Sequence, residues 1–125
     1  MPFKEDVIWT GYLDVKKLAQ ITGAAYAMVY PSLFEGFGIP ILEAMTCNVP
    51  VIVSQTSSMP EVAGDAGLLI DPESSRDIAE KMMILYKDEL LRKKLIAAAS
   101  IQKLKFSWDT SAHALWNSMM AALEK

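Results

Sequence analysis

Reactive and ligating side chains are scarce in this chain. It holds one cysteine, Cys47, and one histidine, His113, in 125 residues. A lone cysteine closes no internal disulfide, which fits a reducing compartment and a cytoplasmic setting. One His and one Cys cannot build a structural zinc site by themselves. No apolar run approaches the roughly 20 residues that a membrane span needs. The opening residues Met1 to Asp6 carry no apolar signal core. A basic run is also missing. Lys plus Arg number 12 against 15 Asp plus Glu, for a net charge of −3, which argues against nucleic acid as the main partner.

What is present is a well-packed soluble globule, with 52 % apolar and 22 % charged residues. The length suits one domain with one core. Four short apolar runs stand out: Val7–Thr10, Tyr26–Tyr30, Val51–Val53 and Leu68–Ile70. They are continuous rather than alternating and mostly β-branched or aromatic, as strands buried on both faces are. Helical patterns lie between them, so the order reads β-α-β-α-β-α-β and predicts an α/β fold with a parallel sheet and right-handed crossovers.

The first helix is expected from about Asp14 to Thr22, with Leu18 and Ile21 inward. The second runs from near Gly38 to Cys47 and is apolar on nearly every side, so it is a buried helix. Asn48 suits the left-handed position after it, and Pro50 stops it. A short helix begins at Ser58-Met59-Pro60-Glu61 with Ser58 as its cap. Ser74 with Asp77 resembles a capping box ahead of the stripe Ile78, Met82, Leu85 and Tyr86. A further helix from about Glu89 carries Leu91, Leu95, Ala98 and Gln102. Ser107 caps a last helix with Ala112, Leu115, Trp116, Met119 and Leu123 on one face. His113 is expected in solvent and Cys47 in the core.

The informative stretch is Pro31 to Met45, PSLFEGFGIPILEAM. It reads as a strand end, a glycine-bearing turn and a helix N-terminus. In parallel α/β sheets ligands bind at the carboxyl ends of strands. A helix N-terminus offers N–H groups and a positive dipole end, which suit a phosphate. Gly36 and Gly38 let the backbone approach a ligand closely. Pro40 fits the first helical turn but removes one donor, so a phosphate would rely on the neighbouring Ile39 and Ile41. Glu35 and Glu43 flank the turn, eight residues apart. With one on the loop and one on the helix, roughly 8–12 Å would separate them, enough to span a ligand and too far for two acids on one bond.

This stretch resembles the glutamate-x7-glutamate motif of the family-4 (group 1) glycosyltransferases of GT-B fold. Gly11-Tyr12, Val49-Pro50-Val51-Ile52 with Ser54, Ser57 to Ala66, Asp71-Pro72 and Phe106-Ser107-Trp108 follow the family pattern in order. The resemblance covers nearly the whole chain, and the ordered set is far more specific than any one motif. It implies a partial Rossmann-like sheet flanked by helices, with a helical C-terminus. Residues 1–125 would form an incomplete nucleotide-sugar-binding domain, with the acceptor domain and the first strands of the donor domain outside the chain.

The resemblance also implies roles. Glu35 would be catalytic, against the donor sugar. Gly36, Phe37, Gly38, Ile39 and Ile41 would line the sugar and diphosphate, and Glu43 would hold the ribose hydroxyls. The family transfers a sugar with retention from a nucleoside diphosphate donor and generally needs no bound metal. A GDP- or UDP-sugar is the expected donor, GDP-mannose the first choice, in the style of bacterial mannosyltransferases of polysaccharide assembly. The acceptor would be a glycan or lipid-linked, and the parent enzyme cytoplasmic or peripheral at the inner membrane face. The fragment alone is expected to be inactive. In the family strand order 3-2-1-4-5-6, Val7–Thr10 would be a third strand without neighbours, leaving three paired strands. The free edge of the Tyr26–Tyr30 strand would favour self-association.

Overall fold

The structure, a computed structural model, describes residues 3–123. Three strands, β1 (Met28–Tyr30), β2 (Val51–Ser54) and β3 (Gly67–Ile70), form one parallel sheet in the order β1-β2-β3. Val51 is the register partner of both Met28 and Gly67. Helix α1 (Val15–Ala24) precedes β1, α2 (Ile39–Thr46) joins β1 to β2, and the short α3 (Met59–Ala63) leads to β3. Helices α4 (Ser75–Lys87), α5 (Glu89–Gln102) and α6 (Trp108–Leu123) complete the chain. This is the three-stranded sheet, flanked by helices and followed by a helical C-terminus, that the sequence pattern predicts.

Alternation along β2 explains why its run is continuously apolar. Val51 and Val53 join one core with Ile41, Met45, Met59 and Val62 from α2 and α3. Ile52 points the other way, into a second core with Ile70, Leu85 and Leu95. Helix α5 serves both, with Ala99 in the first core and Leu95 in the second. Each large aliphatic side chain fully buried in this way contributes about 1.5–3 kcal/mol.

Three caps form as the residue types predict. Asp14 accepts from Lys17 N–H at 2.8 Å, Ser74 from Asp77 N–H at 3.2 Å and Ser107 from Thr110 N–H at 3.0 Å. Asp77 does not reach back to Ser74 N–H. Its carboxylate accepts from Asp71 N–H at 2.8 Å and ties α4 to the end of β3. Asn48 holds φ +59° after α2, the left-handed position expected of it. Cys47 packs, half-buried, against the first core, and His113 is exposed.

Val7–Thr10, expected to lack neighbours, pairs with nothing among the described residues, and Trp9 is 92 % exposed. The apolar stripe of α6 is bare, and none of its described residues is buried. Two expectations are corrected. Leu18 and Ile21 do not point into a core and stay about half exposed, at 44 % and 49 %, because α1 packs chiefly on α2. Ser58 does not cap α3 through its side chain. Its backbone is already helical at φ −79°, ψ −14°, which turns the hydroxyl elsewhere.

Candidate functional site

The carboxyl edge of the sheet is where β1 ends at Tyr30 and β2 at Ser54. From Tyr30 the chain runs through an irregular turn, residues 31–38, into α2. Gly38 precedes the helix at φ +100°, ψ +46°, a conformation that strains any side-chain-bearing residue. A Cβ there would also sit 3.0 Å from Ile41 Cδ1. Glycine at 38 is therefore required by the turn itself. At Gly36 a Cβ would meet nothing within 4 Å, so this side of the turn faces open space.

The loop after β2 fastens this turn with hydroxyl groups. Thr56 Oγ1 donates to Leu33 O at 3.0 Å. Ser57 Oγ donates to Glu35 O at 2.7 Å, and Ser58 Oγ shares its one proton between Glu35 O at 3.0 Å and Phe37 O at 2.9 Å. Further back, Ser54 Oγ, fully buried, donates to Tyr30 O at 3.5 Å. Ser57 adopts the left-handed region at φ +56° to present its side chain. The run Ser54-Gln55-Thr56-Ser57-Ser58 was legible as hydroxyl-rich, but its partner on the other loop was not.

Glu35 lies on the turn and is partly exposed. Tyr30 donates its phenolic proton to Glu35 Oε1 at 2.6 Å. This bond, then burial, then the carboxylate charge push the Tyr30 hydroxyl up to about 12. Reciprocally, the Tyr30 hydroxyl and then the nearby Ser32 hydroxyl hold the Glu35 carboxyl below its usual range. The Ser32 proton itself points to Phe34 O, at 3.1 Å. Tyr30 is a site residue that strand patterning hides, because aromatic residues at strand ends ordinarily signal core.

The remaining candidates divide. Glu43 is exposed on α2, just past its first turn. Ile39 is about half exposed at the helix start. Phe37 turns its ring onto Phe106, edge to face with centroids 5.5 Å apart, and so leaves its backbone to line the turn. Ile41 is placed otherwise than expected. Its side chain is fully buried, and its N–H already donates to Gly38 O at 3.0 Å. It secures the helix start and offers a ligand no free group. Among the described residues no three His, Cys, Asp or Glu side chains cluster as metal ligands would. No described helix is long and apolar enough to cross a membrane.

A parallel sheet with a glycine-bearing, acid-flanked turn at its carboxyl edge defines a Rossmann-like domain. The family model described as glycosyl transferases group 1 matches residues 2–102, and the chain belongs to that family. It is 38 % identical over 121 residues to O-antigen chain mannosyltransferase B of Escherichia coli, covering 86 % of this chain and 32 % of that protein. It is 37 % identical over 110 residues to the serotype-specific mannosyltransferase WbdA of Escherichia coli, covering 88 % of this chain and 14 % of that protein. Among solved structures, sucrose-phosphate synthase from Thermosynechococcus elongatus superposes with a TM-score of 0.82 at 26 % identity, over 95 % of this chain and 31 % of that one. The sheet matches the C-terminal Rossmann-like domain of the GT-B fold. The chain thus spans a third or less of these proteins.

Proposed function

We propose that the chain is the back part of the donor domain of a retaining glycosyltransferase that moves a hexose from a nucleoside diphosphate sugar to a glycan or lipid-linked acceptor. The observation that carries this reading is the stitched turn at residues 31–38, which presents Glu35 ahead of the α2 N-terminus, with Glu43 exposed on α2 just past its first turn. Glu35 faces the sugar. The backbone of Gly36 to Ile39 lines the sugar and diphosphate, and Glu43 accepts from the ribose hydroxyls. In the reaction the bond from the anomeric carbon to the diphosphate oxygen breaks. A bond to an acceptor oxygen forms on the same face, and the acceptor proton leaves with the diphosphate or to water. The helix end, with basic side chains from the front part of the donor domain outside this chain, offsets the diphosphate charge, so no metal is assigned. Mannose, carried by GDP, is the first choice because the relatives named above are mannosyltransferases. The enzyme works on the cytoplasmic side.

Calorimetry with GDP, UDP, GDP-mannose and UDP-glucose tests the reading on this chain. Weak binding of one nucleotide and its sugar is expected, with no turnover by the chain alone. Glu43→Ala should weaken the nucleotide about ten-fold, the loss of roughly one charged hydrogen bond. Absence of heat with all four ligands would remove the assignment. Detectable transfer by the isolated chain would show that the acceptor half is dispensable.

Self-association is a second reading, favoured by the outer edge of β1, which has no strand partner among the described residues. An apolar groove of about 470 Å³, lined by Tyr26, Val29, Met82 and Tyr86, runs beside it. Light scattering should then report a mass above 13.8 kDa. A strict monomer at high concentration would end this reading.

A further inference from the structure

We propose that Tyr30 is a positioning residue, whose hydroxyl holds Glu35 Oε1 so that Oε2 is the oxygen left to meet a bound sugar. The inference rests on the reading above, in which the turn takes the donor sugar.

The geometry supports it from three sides. Tyr30 is itself immobilised, as the last residue of β1, in register with Val53 of β2. Its hydroxyl has one proton, and Glu35 receives it at 2.6 Å, a short charge-assisted bond. The main chain of Glu35 is fixed separately, by Ser57 and Ser58 on its carbonyl. A surface glutamate would otherwise sample many rotamers. Here backbone and carboxylate are both held, the one by the loop after β2 and the other by the last residue of β1.

The consequence is chemical. Near neutral pH the phenol keeps its proton and Glu35 is an anion, because each group stabilises that state of the other. Glu35 then acts on the sugar as a fixed acceptor and as negative charge opposite a developing positive anomeric carbon. It does not serve as a proton donor. Holding one oxygen also sets the direction in which the other can accept a sugar hydroxyl, which selects among hydroxyl configurations.

Tyr30→Phe removes the hydroxyl and keeps the ring. Two measurements on the chain follow. The side-chain carboxyl carbon of Glu35, followed by NMR against pH, should titrate at a higher midpoint in Y30F than in the unsubstituted chain. Calorimetry should show the nucleotide sugar that binds losing about five- to ten-fold in affinity while the bare nucleotide is unchanged. A purely structural role would lower both affinities together, along with the urea midpoint, and would overturn the proposal. So would an unmoved titration midpoint. If no nucleotide or nucleotide sugar binds the unsubstituted chain, the functional reading fails and takes this inference with it. Binding with no Y30F effect removes only the inference.

Discussion

Gly64→Ala is expected to cost the domain about 3–4 kcal/mol, a large part of the roughly 5–15 kcal/mol that holds a domain together. Gly64 sits at φ +53°, ψ −141°, where a residue with a Cβ is strained by about 1–3 kcal/mol. The new Cβ would lie 2.7 Å from Cδ, Nε2 and Oε1 of Gln102. That amide is not a free end. Gln102 is 6 % exposed, and its Nε2 donates to Glu61 O and Val62 O, each at 3.1 Å. These are carbonyls in the last turn of α3, which a five-residue helix cannot satisfy internally. Displacing the amide forfeits two bonds of about 1 kcal/mol each. Urea unfolding reads the loss directly. Gln102→Ala alone should cost about 2 kcal/mol by the same reasoning. The double variant should cost clearly less than the sum, since truncating Gln102 vacates the space that the methyl group added at position 64 invades. Strict additivity would show that the two residues do not share this contact.

The second large effect concerns chemistry. In a complete enzyme carrying this chain, Glu35→Ala should lower turnover by about 100-fold or more, an effect that outweighs the roughly ten-fold rise in donor KM from its lost sugar contact. A charge placed against the reacting carbon acts mostly in the transition state, and losses of that size follow removal of such groups. Glu43→Ala should instead raise the donor KM, because ribose contacts serve substrate and transition state alike. Steady-state kinetics separates the two. Equal or negligible effects would refute the division of roles.

Much of the architecture was legible because its causes are local. Val51-Ile52-Val53 reads as a strand because both of its faces are buried. Asp14, Ser74 and Ser107 cap helices with their own side chains a few residues away. The turn from Pro31 and its helix announced themselves through Gly38, Pro40 and the two acids. What escaped depends on partners distant in sequence. Leu18 and Ile21 form an apolar face whose burial is decided by what packs on it. Ser58 has the right residue type for a cap, yet Glu35 and Phe37, more than 20 residues earlier, claim its hydroxyl. Ser57 was hidden for the same reason, whereas Tyr30, only five residues from Glu35, was hidden because an aromatic residue at a strand end ordinarily signals core. Ile41 was overvalued because a helix N-terminus suggests free N–H groups, whereas Gly38 O already occupies this one.

The fastening of the turn by Thr56, Ser57 and Ser58 has a consequence for the conditions under which the site keeps its shape. Every one of these links runs from a neutral hydroxyl to a main-chain carbonyl. None carries net charge, so ionic strength and a polyanionic ligand leave them nearly untouched. Sensitivity to acid and base is concentrated instead in Tyr30 and Glu35. As pH falls through the lowered value of Glu35, the stability supplied by its ionised form is lost. At the alkaline end, the contribution of the protonated phenol disappears as pH rises from its ordinary range through about 12. The turn therefore behaves as a salt-tolerant frame carrying one titrating pair, and across the broad interval between those limits its acid keeps a constant charge.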